Sequence, residues 1–174
     1  MIRRMVLAAL LHGQTYLDVR DDPKATKQAL LVIVLSSVGL TVGQAFGSVV
    51  ERTAGEDLVR FVQILTSAFM EWLVMGVLFY WIGRNLMGRE ITYFSILRVI
   101  GFASAPGVLY ILRAAGGQVG ATLHSFVFIW LVFAMMLAVR HSLRAPYSVA
   151  FGMAAVGVVL IGMTIRQMVV GPPV

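Results

Sequence analysis

The sequence predicts an all-α, polytopic membrane protein: a compact bundle of five transmembrane helices with an interfacial helix at the N-terminus. Three observations carry that expectation. Hydrophobic residues make up 59% of the 174 positions and charged ones 13%, whereas soluble domains hold about 45–50% and about 25%. Five runs, 29–50, 61–83, 95–113, 121–139 and 147–170, are apolar over lengths suited to crossing roughly 30 Å of hydrocarbon, which takes about 20 helical residues. The links between them are short, so consecutive spans run antiparallel within one body. The domain organisation is then a cytoplasmic interfacial helix and linker at 1–28, the bundle at 29–170 and a short external tail at 171–174.

The opening segment, MIRRMVLAALLHGQTYLDVR, combines Arg3 and Arg4 with an apolar run too short for a signal peptide and lacking a small-x-small cleavage site. At 100° per residue Ile2, Met5, Val6, Ala9 and Leu10 share one face, and Arg3, Arg4, Gln14, Thr15 and Asp18 lie opposite, interrupted by Leu7 and Leu11. This pattern predicts a helix lying on the cytoplasmic membrane surface with Arg3 and Arg4 as anchors. In DVRDDPKATKQA, Asp22 is placed to cap the first spanning helix, with Pro23 in its first turn.

Within the first span, GLTVGQAFG sets Gly39, Gly43 and Gly47 four apart. A tandem GxxxG opens one helix face to close backbone approach. The partner is either another span of the same chain or a neighbouring subunit. The second span carries Glu71 near its centre. A carboxylate at mid-depth costs roughly 2.5–3.5 kcal/mol on insertion scales, so such a residue faces the protein interior, either as a neutral hydrogen-bonding group or as a proton or cation site. The third span, SILRVIGFASAPGVLYIL, places Arg98 near its cytoplasmic end and Pro106 about eleven residues in, roughly 16 Å deep by the helical rise. Pro106 leaves the Phe102 carbonyl without its usual donor, and Glu71 or Ser104 is placed to supply one. Arg98 reads as a membrane-surface anchor, reaching headgroups or the loop of Glu90, and Pro106 as a kink.

Orientation follows the basic residues, which collect on the cytoplasmic side of short loops. With the N-terminus inside, ten of the fourteen Lys and Arg fall there; Arg52, Arg60, Arg113 and Arg166 fall outside. The C-terminus is then external. The net charge of +6 is accounted for by topology and attraction to anionic headgroups, so no nucleic-acid partner is expected. Cysteine is absent, the three histidines are scattered, and no nucleophile elbow, phosphate loop or metal-binding pattern occurs. No catalytic residue, metal or cofactor is expected.

Four stretches, VRDDPKATKQALLVIVL, WLVMGVLFYWIGRNLMG, LRVIGFASAPGVLYIL and IWLVFAMMLAVRHSL, resemble in order and spacing prokaryotic members of the Yip family, the Ypt/Rab-interacting membrane proteins. The resemblance covers roughly residues 16–159 and implies five spans with a cytoplasmic N-terminus. It also implies a place among proteins that act in vesicle trafficking and bind prenylated GTPases and one another. The chain departs from the eukaryotic members in its short N-terminal segment and its lack of their aspartate-leucine-tyrosine-glycine-proline motif, which argues against GTPase binding. The expected role is a non-enzymatic scaffold or accessory subunit in the cell membrane of a prokaryote, partnered by lipid and by other subunits or copies of itself. A small transporter or channel subunit using Glu71 is the alternative. Pigment binding through His124 or His141 stands behind both.

Overall fold

In a computed structural model the described residues are 1–47 and 53–170, with backbone alone for Val158 and for 160–170. Among them the chain is helical and contains no strand. Two short helices, α1 (Ile2–Ala9) and α2 (Gly13–Asp21), precede α3 (Ala25–Gly47) and α4 (Ala54–Trp81), which runs on into a π-helical turn at Ile82–Leu86. The third apolar segment is composite: α5 (Tyr93–Ala103) and then a 3-10 helix, Ala105–Ala115. Next come α6 (Gly117–Leu143) and α7 (Tyr147–Val170).

Four segments, 25–47, 54–86, 93–115 and 117–143, are long and apolar enough to cross a membrane, and a shorter apolar helix occupies Tyr147–Gly157 of α7. The helices overrun the apolar runs because polar caps set their ends. Thr53 and Glu56 form a reciprocal capping box on α4, and Thr92 and Ser95 form one on α5. The Asp22 carboxylate accepts from the Lys24 amide at 3.0 Å at the start of α3. Gly116 and Gly117, at φ +69° and +50°, make the tight turn into α6 that a side chain would resist. The far end of the first expected span, the loop arginine Arg52 and the tail 171–174 lie outside the described residues.

The N-terminus differs from the single surface helix the periodicity predicts. Leu11 takes φ +62°, which breaks the segment in two; Thr15 is buried instead of turned to solvent, and Tyr16 is buried beside it. Tertiary bonds decide this. The Tyr16 hydroxyl donates to the Ala8 carbonyl at 2.8 Å, and the Trp130 indole of α6 donates to the Ala9 carbonyl at 2.7 Å. Both carbonyls belong to the last turn of α1, whose acceptors have no partner inside the helix. Trp130 stands thirteen residues from the end of α6, roughly 20 Å along its axis. α1 is therefore held along the flank of the bundle, against α5 and the 3-10 helix. Ile2, Val6 and Leu10 line its outward face.

Candidate functional site

The centre of the bundle is organised by the third segment. Pro106 lies in the first turn of the 3-10 helix, where its missing N–H costs nothing, and the α-helix stops at Ser104. The expected kink is thus a change of winding. A 3-10 helix is thinner and longer per residue than an α-helix, and runs beyond three or four residues are uncommon; this one has eleven.

The glycines of α3 stand against that thin helix. A Cβ on Gly39 would lie 2.6 Å from the Val108 carbonyl oxygen, and those on Gly43 and Gly47 would collide with the carbonyl oxygens of Tyr110 and Arg113. The close approach is therefore within the chain. It continues toward the other end through Gly107, packed on Ser36, and Gly101, packed on Ala29. The Ser36 hydroxyl donates to the Ser104 carbonyl at 2.8 Å, tying α3 to the point where the winding changes.

Beside this seam the packing opens into a cavity of about 150 Å³ between α3, α4, the third segment, α6 and α7. Its walls are mostly aliphatic and aromatic, but Glu71, Ser67, Ser36, Ser37, Ser104 and Tyr110 all line it. Glu71 is half-buried. Glu71 and Ser104 thus share one cavity, and Pro106, two residues beyond Ser104, is not among its lining residues. The Ser104 hydroxyl donates to the Ile100 carbonyl at 3.3 Å, and not to that of Phe102. Two hydroxyls of α3 likewise turn to their own helix, Ser37 to the Ile33 carbonyl and Thr41 to that of Ser37. Trp72 and Tyr93 clamp α4 to α5 through the Leu97 and Leu73 carbonyls at 2.7 and 3.2 Å. Volume alone admits several waters or one small organic group.

Arg98 is placed differently from a headgroup anchor. Only 8% exposed, it donates from Nε at 3.1 Å and from a terminal nitrogen to the Arg20 carbonyl, one of the last acceptors of α2. Arg4 pairs with Asp22 at 2.6 Å, holding α1 to the α2–α3 joint, and Arg3 is exposed. Hydrogen bonding from Arg4 holds the Asp22 carboxyl below its ordinary range, and hydrogen bonding from Arg20 does the same for Asp21. His124 packs its ring on Tyr110 at 4.7 Å, and the His141 imidazole fills the space a side chain at Gly13 would need. Among the described residues no cluster of His, Cys, Asp and Glu is arranged to hold a metal ion.

Sequence reasoning missed the Tyr16 and Trp130 bonds to α1 and the inward turn of Arg98. Each depends on a partner more than one turn away in sequence, and Trp130 at mid-segment was the available signal, since a buried indole seeks an acceptor.

A helical bundle with an intramembrane glycine seam and a small polar-lined cavity defines the class, a polytopic α-helical membrane protein. The particular family is shown by comparison: residues 9–165 match the Yip1 domain, and the chain belongs to that family. No curated protein and no solved structure matches it significantly.

Proposed function

We propose that this Yip-family protein is a non-enzymatic scaffold or accessory subunit that organises a membrane or a larger membrane complex. It would cross the membrane five times, with its N-terminus in the cytoplasm of a prokaryote and its C-terminus outside. The observation that supports the role best is where the intramembrane polar groups go. Ser36, Ser37, Thr41, Trp72, Tyr93 and Ser104 bond the chain's own carbonyls, which suits a body built to hold its shape. The gathering of Arg20, Arg89, Arg98 and Arg144 at one end of the bundle supports the orientation. Reconstituted into liposomes, the protein is expected to carry no proton or cation flux, and cross-linking in native membranes is expected to trap a discrete assembly with itself or with other membrane proteins.

One observation favours a second reading. Glu71 opens onto a cavity with four serines and a tyrosine, the setting of a proton or small-cation site in a transporter or channel subunit. Flux that disappears in a normally folded Glu71→Gln variant would establish that reading and displace the first.

A further inference from the structure

A second, larger hollow lies at the end of the bundle where α2 stops, α5 starts and α6 stops. Its volume is about 470 Å³. Four arginines line it, Arg20, Arg89, Arg98 and Arg144, with two carboxylates, Asp21 and Glu90. The acids do not balance the bases. Asp21 is committed to Arg20 through two bonds, from Nε at 2.8 Å and a terminal nitrogen at 2.9 Å. The other guanidinium contacts within this end go to neutral oxygens. Arg98 donates to the Arg20 carbonyl and, at 3.5 Å, to the Thr26 hydroxyl; Arg20 reaches the Ser142 carbonyl at 3.2 Å; Arg89 reaches the Arg144 carbonyl at 3.3 Å. Neutral acceptors fix a guanidinium in place without cancelling its charge. Arg98 in addition is almost wholly buried; Asp22 and Asp21 act on it through space, while its hydrogen bonds go to neutral oxygens, and a buried charge is costly unless opposite charge meets it closely.

Local backbone geometry adds to the positive field. The hollow is bordered by Thr92 and Ser95, the first turn of α5, where a helix carries partial positive charge. Arg144 sits in the left-handed region at φ +49°, a conformation rare for a side-chain-bearing residue, and its carbonyl is the one Arg89 holds. Positive groups are thus pre-positioned around an empty volume at the place where the chain leaves the apolar layer.

We propose that this hollow is a binding site for a phosphate group, presented either by the headgroup of an anionic phospholipid or by a soluble phosphate compound. Planar guanidinium forks match phosphate oxygens in pairs, and several converging on one volume select phosphate over a single carboxylate. Arg98 and the α5 terminus form the floor, and the exposed Arg89 and Arg144 close over the ligand from the rim.

The test is thermal unfolding of the full chain in neutral detergent, titrated with phosphatidylglycerol, with diacylglycerol and with inorganic phosphate. Phosphatidylglycerol is expected to raise the melting temperature saturably where diacylglycerol does not. The Arg89→Gln/Arg144→Gln double variant is expected to weaken the apparent affinity by about tenfold or more, since each lost charge-assisted bond is worth a factor of this order. Arg84→Gln, an exposed arginine outside the hollow, should bind as the original does. Stabilisation by inorganic phosphate as well, with the same dependence on Arg89 and Arg144, identifies the soluble form as a ligand. The proposal is overturned if neither phosphate-bearing probe stabilises the protein, or if the double variant responds as strongly as the original.

Discussion

Two neighbouring faces of α3 are built on opposite plans. One offers glycines to the third segment, and backbone meets backbone; the next, with Ser36 at the border bonded to Ser104, turns serines and aliphatic side chains to a cavity shared with α4. The burial of the flanking elements follows. Of the apolar stretch in the third segment 72% is buried inside the protein, against 17% in the segment containing α4. Lipid tails are as apolar as a protein interior, so tight packing in a membrane must come from shape and hydrogen bonds. Where small residues let backbones touch, the bundle is closed. Where larger ones hold α4 away, there is room for a ligand, for water or for movement.

The strongest way to break this contrast is to put a side chain into the seam. Gly43→Leu would drive a side chain into the Tyr110 carbonyl, and thermal unfolding in detergent should show a loss at or above the roughly 1–3 kcal/mol of an overpacked core. Gly76→Ala on α4 is the matched probe: its new methyl meets the tip of the Leu97 side chain, which can swing aside. It should cost clearly less than Gly43→Ala. Equal costs would mean that the contact between α4 and α5 is as unyielding as the seam.

Next in size is the cavity acid. As a neutral hydrogen-bonding group, Glu71 is replaceable by Gln with little loss, whereas Glu71→Leu should cost roughly 1–3 kcal/mol by leaving its partner unsatisfied. The same measurement with both variants equally unstable would point to an ionised carboxylate. Ser36→Ala should cost about 1 kcal/mol, the worth of one hydrogen bond, because it removes one of the two donors to the Ser104 carbonyl, which keeps the Gly107 amide. A silent Ser36→Ala would show that the glycines alone hold the seam.

The smallest expected effect lies at the N-terminus. The Asp22 carboxyl is held below its ordinary range by Arg4, so the pair's contribution is present above the unfolded-state pKa, about 3.9, and is lost as pH falls through the lower folded value. A spin label at Leu10 should be immobilised at neutral pH and gain mobility only in that acid range. Arg4→Gln should show at every pH the small gain in mobility that acid gives the original, with the Tyr16 and Trp130 bonds still holding Ala8 and Ala9. A label already tumbling freely at neutral pH in the original protein would detach α1 from the bundle.

How much of this could be read beforehand depends on the range of the interaction that decides it. GLTVGQAFG announces a close approach because the spacing of Gly39, Gly43 and Gly47 is local to one helix. Its partner, a run of carbonyls from Val108 to Arg113, is not, since carbonyls leave no mark in a sequence. Pro106 announces a kink, but not that the α-helix stops there and the chain continues as eleven residues of 3-10 helix. Leu7 and Leu11 interrupt the polar face without ending the periodicity, so the pattern does not separate α1 from α2; Tyr16 and Trp130 do. Arg98 read as an anchor because arginines near span ends usually reach outward, and only the arrival of α2 gives it a carbonyl to bond.

The winding of the third segment also fixes a distance. With a rise of about 2.0 Å per residue against 1.5 Å, the eleven residues after Ser104 reach roughly 5 Å farther than they would as an α-helix. Rewinding them would pull the turn at Gly116 and Gly117 inward by nearly one helical turn. Gly39, Gly43 and Gly47 are matched one by one to Val108, Tyr110 and Arg113, pairings that only the stretched pitch satisfies. The seam therefore acts as a ruler: by pegging the pitch it sets the length of the third segment.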